Sequence, residues 1–347
     1  MSGCFDILHG GHVEFLRAAR SLGDQLVVCV PTDAVITHHK HRRPALTLEH
    51  RTELLKALRF VDDVVVGSDP DLGLNFKSEF ERIRPSILAV TTDDRFEAEK
   101  RRLCDDVGAL YVQLSKTLDY DPISSTQLHK YLSAPLRAPL RVDFAGGWLD
   151  VPKLSRPGAF VVNCAICPLV SLTEWPYHIG GGLGGSAAFK LLSGQDSLQE
   201  ELKSGVGWQD PAVIQETGLC VWQSGPQPVL EFKANYNFLV GRMAIFWTGK
   251  PHVTADLVNT PRNYSLIHHA SKLAASAVRD KDYTLLLRAV HRTYQAQIEE
   301  GMEPLPNCGA AAMKYLGSGW GGYALALFNG GRDSSCIPIE PYARTSS

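Results

Sequence analysis

Residues 3–34 read GCFDILHGGHVEFLRAARSLGDQLVVCVPTDA, and the order of patterns in this stretch sets the reading of the first part of the chain. His9-Gly10-Gly11-His12 stands where a short apolar run gives way to an amphipathic helical pattern over Val13–Leu22. A β-rich run, Gln25–Val30, follows at once. Further strand-like runs at Asp62–Val66, Ile87–Thr91 and Ala109–Leu114 alternate with helical patterns over Leu48–Arg59, Phe76–Arg84 and Phe96–Val107. Strand–helix alternation of this kind predicts an α/β domain, a doubly wound, Rossmann-like parallel sheet with helices on both faces. Such sheets take their ligands outside the carboxyl ends of the strands. Two imidazoles three residues apart at a helix start can face one ligand. The free N–H groups and partial positive charge of that helix end suit a phosphate. The spacing alone equally allows two histidines that merely cap the helix.

After Tyr131 the text changes. Leu132–Pro139 (LSAPLRAP) reads as a linker. The remainder mixes strands at Leu140–Ala145, Phe160–Leu172, Ala244–Thr248 and Tyr323–Phe328 with a long helical tract from Ser265 to about Glu300. That order predicts a second, α+β domain. The expected division is a first domain over 1–133, a linker at 134–138, a second domain over 139–335 and a tail over 336–347. Gly180-Gly181-Gly182-Leu183-Gly184-Gly185-Ser186-Ala187-Ala188 precedes a helix-compatible run. Its glycines allow the backbone to wrap a phosphate and aim N–H groups at it, although no Gly-Lys-Ser/Thr comes after them to make a Walker A loop.

Composition excludes several partner classes. Lys and Arg number 35 against 37 Asp and Glu, which gives no electrostatic reason to expect nucleic acid or an anionic membrane. No apolar run approaches the ~20 residues of a membrane span, and the chain opens on a motif rather than a secretory leader. Eight cysteines scattered along the chain read as reduced thiols of a cytoplasmic protein. Cys164 and Cys167 form a CxxC within an apolar run and read as a buried strand. The run His38, His39, Lys40, His41, Arg42, Arg43 reads as a mobile basic loop over a triphosphate rather than a metal site. Trp175, Trp208, Trp222, Trp247 and Trp320 could stack on a ligand, with core packing the default for each.

The opening stretch resembles the cytidylyltransferase-like nucleotidyltransferases, most closely those that make ADP-heptose or CDP-alcohols. Arg43-Pro44, the run Leu48–Leu55 with Val61-Asp62, and Ile123-Ser124-Ser125-Thr126 are similar to that family's later motifs, in its order, over residues 1–133. The resemblance implies attack of a substrate phosphate on the α-phosphorus of CTP or ATP, with pyrophosphate leaving. It implies that His9 and His12 stabilise the transition state and that Lys40 neutralises triphosphate charge. Gly3, Cys4, Phe5, Ser124, Ser125 and Thr126 would bind nucleotide. Asp119–Pro122 stands where some members carry an arginine, and the family's first strand usually precedes Gly3.

Arg141–Pro152 (RVDFAGGWLDVP), the GGGLGGSAA loop, Gly207-Trp208-Gln209-Asp210, Thr248-Gly249-Lys250 and Lys314–Gly322 resemble, in order, the motifs of GHMP sugar kinases of the L-fucokinase and heptose-7-phosphate kinase branch. That resemblance implies Asp210 as base or charge partner beside Arg141, and Asp150 on the sugar. Gly180, Gly181, Gly182, Leu183, Gly184, Gly185, Ser186 and Ala187 would lie on the triphosphate, with Ser186 on Mg²⁺. Gly319, Gly321 and Gly322 would lie on the substrate. Residues 151–179 make a shorter stretch between the first two motifs than the family usually has, with Glu174 as the one candidate acid in it. Together the two resemblances imply a bifunctional enzyme with Mg²⁺ as cofactor. One half would phosphorylate a sugar or sugar phosphate at the anomeric hydroxyl; the other would couple the product to a nucleotide. The alternative is a nucleotidyltransferase whose second half is a sugar-binding or oligomerisation module. Neither nucleic acid nor membrane is expected as partner, and a homo-oligomer is compatible with the sequence.

Overall fold

The computed structural model describes residues 1–115, 124–251, 261–330 and 335–344, and the chain divides into two units, residues 1–133 and 134–347. Ile123 and Asp119–Pro122 lie outside the described residues.

The first unit runs α1 (Gly10–Arg20), β1 (Val27–Pro31), α2 (Asp33–Lys40), α3 (Leu48–Lys56), β2 (Asp63–Gly67), α4 (Lys77–Ile83), β3 (Ile87–Thr91), α5 (Glu97–Val107), β4 (Leu110–Leu114) and α6 (Ser125–Leu132). Strands and helices alternate as the periodicity predicts, and the pairing is parallel: Val28 lies opposite Val64, and Ala89 opposite Val112. The described strands form two pairs, β1 with β2 and β3 with β4, rather than one continuous sheet. The segment that runs beside β1 contributes a single parallel bridge, Ser2 to Cys29. Buried Leu16, Val28, Val30, Leu55 and Ala89 form the core under α1 and α3.

The basic run at 38–43 is a loop only in its second half: His38, His39 and Lys40 form the last turn of α2. The Thr32 hydroxyl accepts from the Val35 N–H and starts α2, Ile36 is buried beneath it, and His41 ends it in the left-handed region. Weak helix formers and exposed charge hide this helix in the sequence.

The second unit runs β5 (Ala138–Ala145), β6 (Phe160–Val170), α7 (Gly185–Leu192), α8 (Ser197–Lys203), α9 (Gln209–Glu216), β7 (Leu219–Gln223), β8 (Val229–Ala234), β9 (Met243–Trp247), α10 (Tyr264–Asp280), α11 (Tyr283–Glu299), β10 (Ala312–Tyr315), β11 (Tyr323–Leu327) and β12 (Ile337–Pro341). Its described strands make one antiparallel sheet in the order β10-β11-β9-β12-β6-β7-β8, with β5 on the other side of β6. β6 can serve three neighbours because it is eleven residues long: β7 pairs with its first half and β12 with its second. Cys164 and Cys167 belong to this strand, and burial pushes the Cys164 thiol well above its ordinary pKa.

The structure corrects two expectations. The long helical tract is two helices, broken where Lys281 adopts a left-handed conformation and the Asp282 carboxylate accepts from the Leu285 N–H. Their buried stripes, Ile267–Ala270–Ala274–Val278 and Leu286–Ala289–Val290–Thr293, keep helical spacing and pack on β5 and β6. The residues read as a tail from 336 hold β12, which sits inside the sheet between β9 and β6 with Ile339 buried. Two prolines in a five-residue strand mask the strand signal.

Truncation before Cys336 should therefore leave β6 and β9 without the strand between them and abolish cooperative melting of the second unit. Ile339→Ala should cost about 2–5 kcal/mol in a urea titration. An unchanged melting profile for the truncated chain would refute the placement of β12.

Candidate functional site

In the first unit, Phe5 turns the chain sharply (φ 45°) so that the segment beside β1 hands over directly to α1, whose N-cap is His9 with no side-chain cap. The His9 and His12 rings stack with centroids 3.8 Å apart, and Phe5 meets His12 edge-on at 5.1 Å. Burial lowers the His9 pKa, and its buried Nδ1 has no hydrogen-bond partner among the described residues. A ring held neutral at an open helix start can donate one N–H to an anion without bringing a full charge.

The chain beyond β4 brings a second helix start to the same place. Ser124 caps α6 by accepting from Gln127 N–H, and the Ser125 hydroxyl donates to the Ile7 carbonyl at 3.4 Å. What fixes this meeting is Asp6, a residue that no motif singles out for the role. Its buried carboxylate accepts from Arg42 Nη1 at 2.6 Å and from the backbone N–H of Ala45 and Leu46, and pairs with His129 Nε2 of α6 at 2.6 Å. Burial alone would raise the Asp6 pKa; the Arg42 and His129 side chains and the two N–H groups outweigh it and bring it down to about 2. Arg51, fully buried, donates to the carbonyls of Cys4 and Pro31 and to Asp33.

The predicted residues of this unit divide accordingly. His9, His12 and Ser125 come together. Gly3 and Cys4 act through the backbone, the former donating to the Cys29 carbonyl. A side chain at Gly3 would strike the Phe5 ring at 2.9 Å, and Phe5 itself is buried in the core. Thr126 is exposed at the first turn of α6, and Lys40 ends α2 as an exposed side chain.

The second unit holds a cavity of about 920 Å³. Gly180 through Ser186 line it, together with Arg141, Trp148, Asp150, Glu201, Gln209, Asp210, Gly317 and Ser318. The glycine loop is tied to the sheet on both sides: Arg141 N–H donates to Leu183 O at 3.0 Å and Tyr323 N–H to Gly181 O at 2.7 Å. At Gly184 (φ 74°) α7 begins, and a Cβ there would meet Arg141 Cγ at 3.1 Å and Asp210 Cβ at 3.4 Å. Glycine is what lets this helix start lie directly over the charged pair.

That pair is one end of a buried chain of charges. Arg141 Nε donates to Asp210 Oδ1 at 2.6 Å, and its Nη1 to Asp143 at 3.1 Å and to the Gly182 carbonyl at 2.9 Å. Lys314 Nζ, fully buried, donates to Asp143 in turn. Burial would lower the Arg141 pKa, but the charges of Asp210 and Asp143 hold it above the ordinary value. Asp150, buried and accepting from the N–H and Nε2 of Gln209, is pushed up to about 7, first by burial and then by the Asp210 charge.

Glu201 is an acid of the cavity that no motif marks. Its Oε1 accepts from Ser186 Oγ and from Lys190 Nζ, both at 3.1 Å. Glu174, the acid expected from the sequence, is exposed and pairs with Arg137 at 3.0 Å. Ala187 packs in the core, and Gly319, Gly321 and Gly322 are not among the cavity-lining residues. A Cβ on Gly319 would strike Met302, one on Gly321 the Lys250 and Pro251 carbonyls; Gly317 and Ser318 are the part of that loop that reaches the cavity. Among the described residues no helix is long and apolar enough to cross a membrane.

Comparison with known proteins bears on the first unit. Residues 1–130 match the family described as cytidylyltransferase-like. The FAD synthase of Pyrococcus horikoshii is 42% identical over 105 residues, which are 30% of this chain and 69% of that protein. Across several archaeal FAD synthases the chain spans about two thirds of their length. Among solved structures, a lipopolysaccharide core biosynthesis protein from Thermoplasma volcanium is 30% identical, with a TM-score of 0.29 and coverage of 35% of this chain and 94% of that one. The L. major mevalonate kinase is 16% identical, with a TM-score of 0.42 and coverage of 56% and 87%. Through its first unit, with the paired imidazoles at the start of α1, this chain belongs to the cytidylyltransferase-like family of nucleotidyltransferases.

Proposed function

We propose that the chain is a bifunctional sugar-activating transferase: the second unit phosphorylates a sugar or sugar phosphate with ATP, and the first couples the resulting phosphate to a nucleotide. The observation that carries the kinase half is the Arg141–Asp210 pair lying under the glycine helix start, with Asp150 in the same cavity. Phosphoryl transfer needs charge neutralisation and in-line placement more than covalent chemistry. Backbone N–H groups of Gly182–Ser186 hold the triphosphate. The acceptor hydroxyl attacks the γ-phosphorus, ADP leaves, and Asp210 takes the hydroxyl proton while Arg141 keeps it oriented. Asp150, with its pKa near neutrality, orients the acceptor by hydrogen bonding. Ser186 and Glu201 are hard oxygen donors that fit Mg²⁺, which when bound neutralises phosphate charge.

In the first unit the acceptor's phosphate attacks the α-phosphorus of the nucleotide and pyrophosphate leaves. His9 and His12 donate to the α-phosphate as charge builds, and the starts of α1 and α6 supply backbone N–H groups. Likeness to proteins named FAD synthase favours ATP over CTP as donor, because their product carries adenosine. It also supports a second reading in which the acceptor is flavin mononucleotide and the second unit is a non-catalytic binding module.

Mass-resolved products from sugars, sugar 1-phosphates and flavin mononucleotide, each with ATP and CTP, separate these readings. On the bifunctional reading, Asp210→Asn lowers sugar-dependent ADP release about 10³-fold and leaves pyrophosphate release from a supplied sugar 1-phosphate intact, whereas His12→Ala lowers that pyrophosphate release about 10²–10³-fold and leaves sugar-dependent ADP release intact. Flavin adenine dinucleotide as the sole product would establish the second reading. Glu201→Gln should raise the Mg²⁺ concentration needed for half-maximal ADP release about tenfold.

Asp150 gives a test by stability. Its folded pKa of about 7 lies above the ordinary carboxylate value, so its contribution is fully present below about pH 4 and lost as pH rises through 7. Asp150→Asn should therefore melt close to the unsubstituted chain at pH 4 and about 5–10 °C above it at pH 8. A constant difference across that range would refute the shift.

A further inference from the structure

Trp148 belongs to the RVDFAGGWLDVP run and lines the cavity, yet the reaction scheme gives it no role. It follows Gly146 and Gly147 in a turn pressed hard against β6, where a Cβ on Gly146 would lie 2.0 Å from the Phe160 carbonyl. Trp148 itself has φ 74°, a left-handed conformation that costs a bulky residue about 1–3 kcal/mol. Packing alone does not require such a residue to stand there. Trp208 and Trp222, by contrast, are buried and spend their indole N–H groups on Gly225 O and Asn163 Oδ1. Trp148 is half-buried and lines the cavity two residues before Asp150.

Its ring is held from behind. The Arg262 guanidinium lies over it, 3.7 Å from the centroid, and Arg262 is itself buried beside Glu300 at 3.4 Å. A buried cation over an aromatic face fixes the ring's orientation. The charges at this end of the cavity limit what can rest on it. Asp150 and Asp210 are both present, and Arg141 is already engaged by Asp210, Asp143 and the Gly182 carbonyl. A carboxylate-bearing alcohol would meet two acids with no uncommitted cation in this group. A ring with hydroxyls at its edge and C–H bonds on its face satisfies both the acids and the indole.

We infer that Trp148 is a specificity-determining platform on which the C–H face of an uncharged pyranose ring stacks, with its edge hydroxyls on Asp150 and Asp210. The inference rests on the sugar-kinase reading and narrows its acceptor to one that is uncharged at this end.

The test is direct binding to the full chain, by calorimetry and saturation-transfer NMR, using D-mannose, D-galactose, L-fucose and, as the carboxylate-bearing control, R-mevalonate. ATP binding is measured in parallel. The unsubstituted chain should bind at least one of the sugars more tightly than mevalonate. Trp148→Gly relieves the left-handed strain, so the variant should fold, yet its sugar Kd should rise tenfold or more while its ATP Kd stays within about twofold. Trp148→Phe should retain most of the sugar affinity. A sugar Kd unchanged in Trp148→Gly overturns the platform while leaving the kinase reading intact. ATP binding with no binding of any of the three sugars, or with mevalonate bound more tightly, also overturns the platform, and the kinase reading itself fails only if neither sugars nor sugar phosphates elicit ADP release.

Discussion

The second unit is organised around the contact between Arg141 and Asp210. A guanidinium and a carboxylate taken from water lose solvation worth several kcal/mol each, and only good geometry with further partners repays it. Here the partners are supplied by separate parts of the chain: Asp143 from the same strand, the Gly182 carbonyl from the glycine loop and, beyond Asp143, Lys314 from β10. Two cations and two anions thus compensate each other inside the protein. Among the described residues Asp150 has no cation bonded to it, and burial with the Asp210 charge raises its pKa to about 7. The same contact sets where α7 must begin, since Gly184 has to let its backbone pass over both side chains.

The first unit solves a similar problem with one carboxylate instead of a chain. Asp6 gathers an arginine, a histidine and two backbone N–H groups, and so ties the segment after α2 and the helix α6 to the strand-to-helix turn that carries His9. The hydrogen bond from Ser125 to the Ile7 carbonyl is a second tie between the same two parts.

Much of this is legible in the sequence where the signal is local. His9 and His12, the glycine loop and the strand–helix alternation are written in consecutive residues, because one turn or one helix start places them. The partners that span the chain are not legible. Asp6 and His129 are 123 positions apart, and each alone is an ordinary polar residue. Glu201 is one of several acids in a charged helix, and only the fold shows that it faces Ser186 while Glu174 faces Arg137. The third glycine loop is ambiguous for a different reason: Gly319 (φ 77°) and Gly321 (φ 155°) adopt backbone conformations that favour glycine, and the Lys250 and Pro251 carbonyls crowd Gly321, so the local fold already accounts for them. β12 is hidden by its prolines, which a strand paired on both sides tolerates only where their missing N–H groups are not required.

The position of β12 has a consequence for how the protein is made. The strands on either side of it, β6 and β9, are synthesised long before it, and they cannot join until residues 337–341 arrive. Until then the edges that β6 and β9 present to β12 have no partner strand, and open edges of this kind are prone to wrong association. The first unit, whose elements are all complete by Leu132, is free to close while its neighbour is still being built. The strand made last is thus the one that joins the two parts of the later sheet.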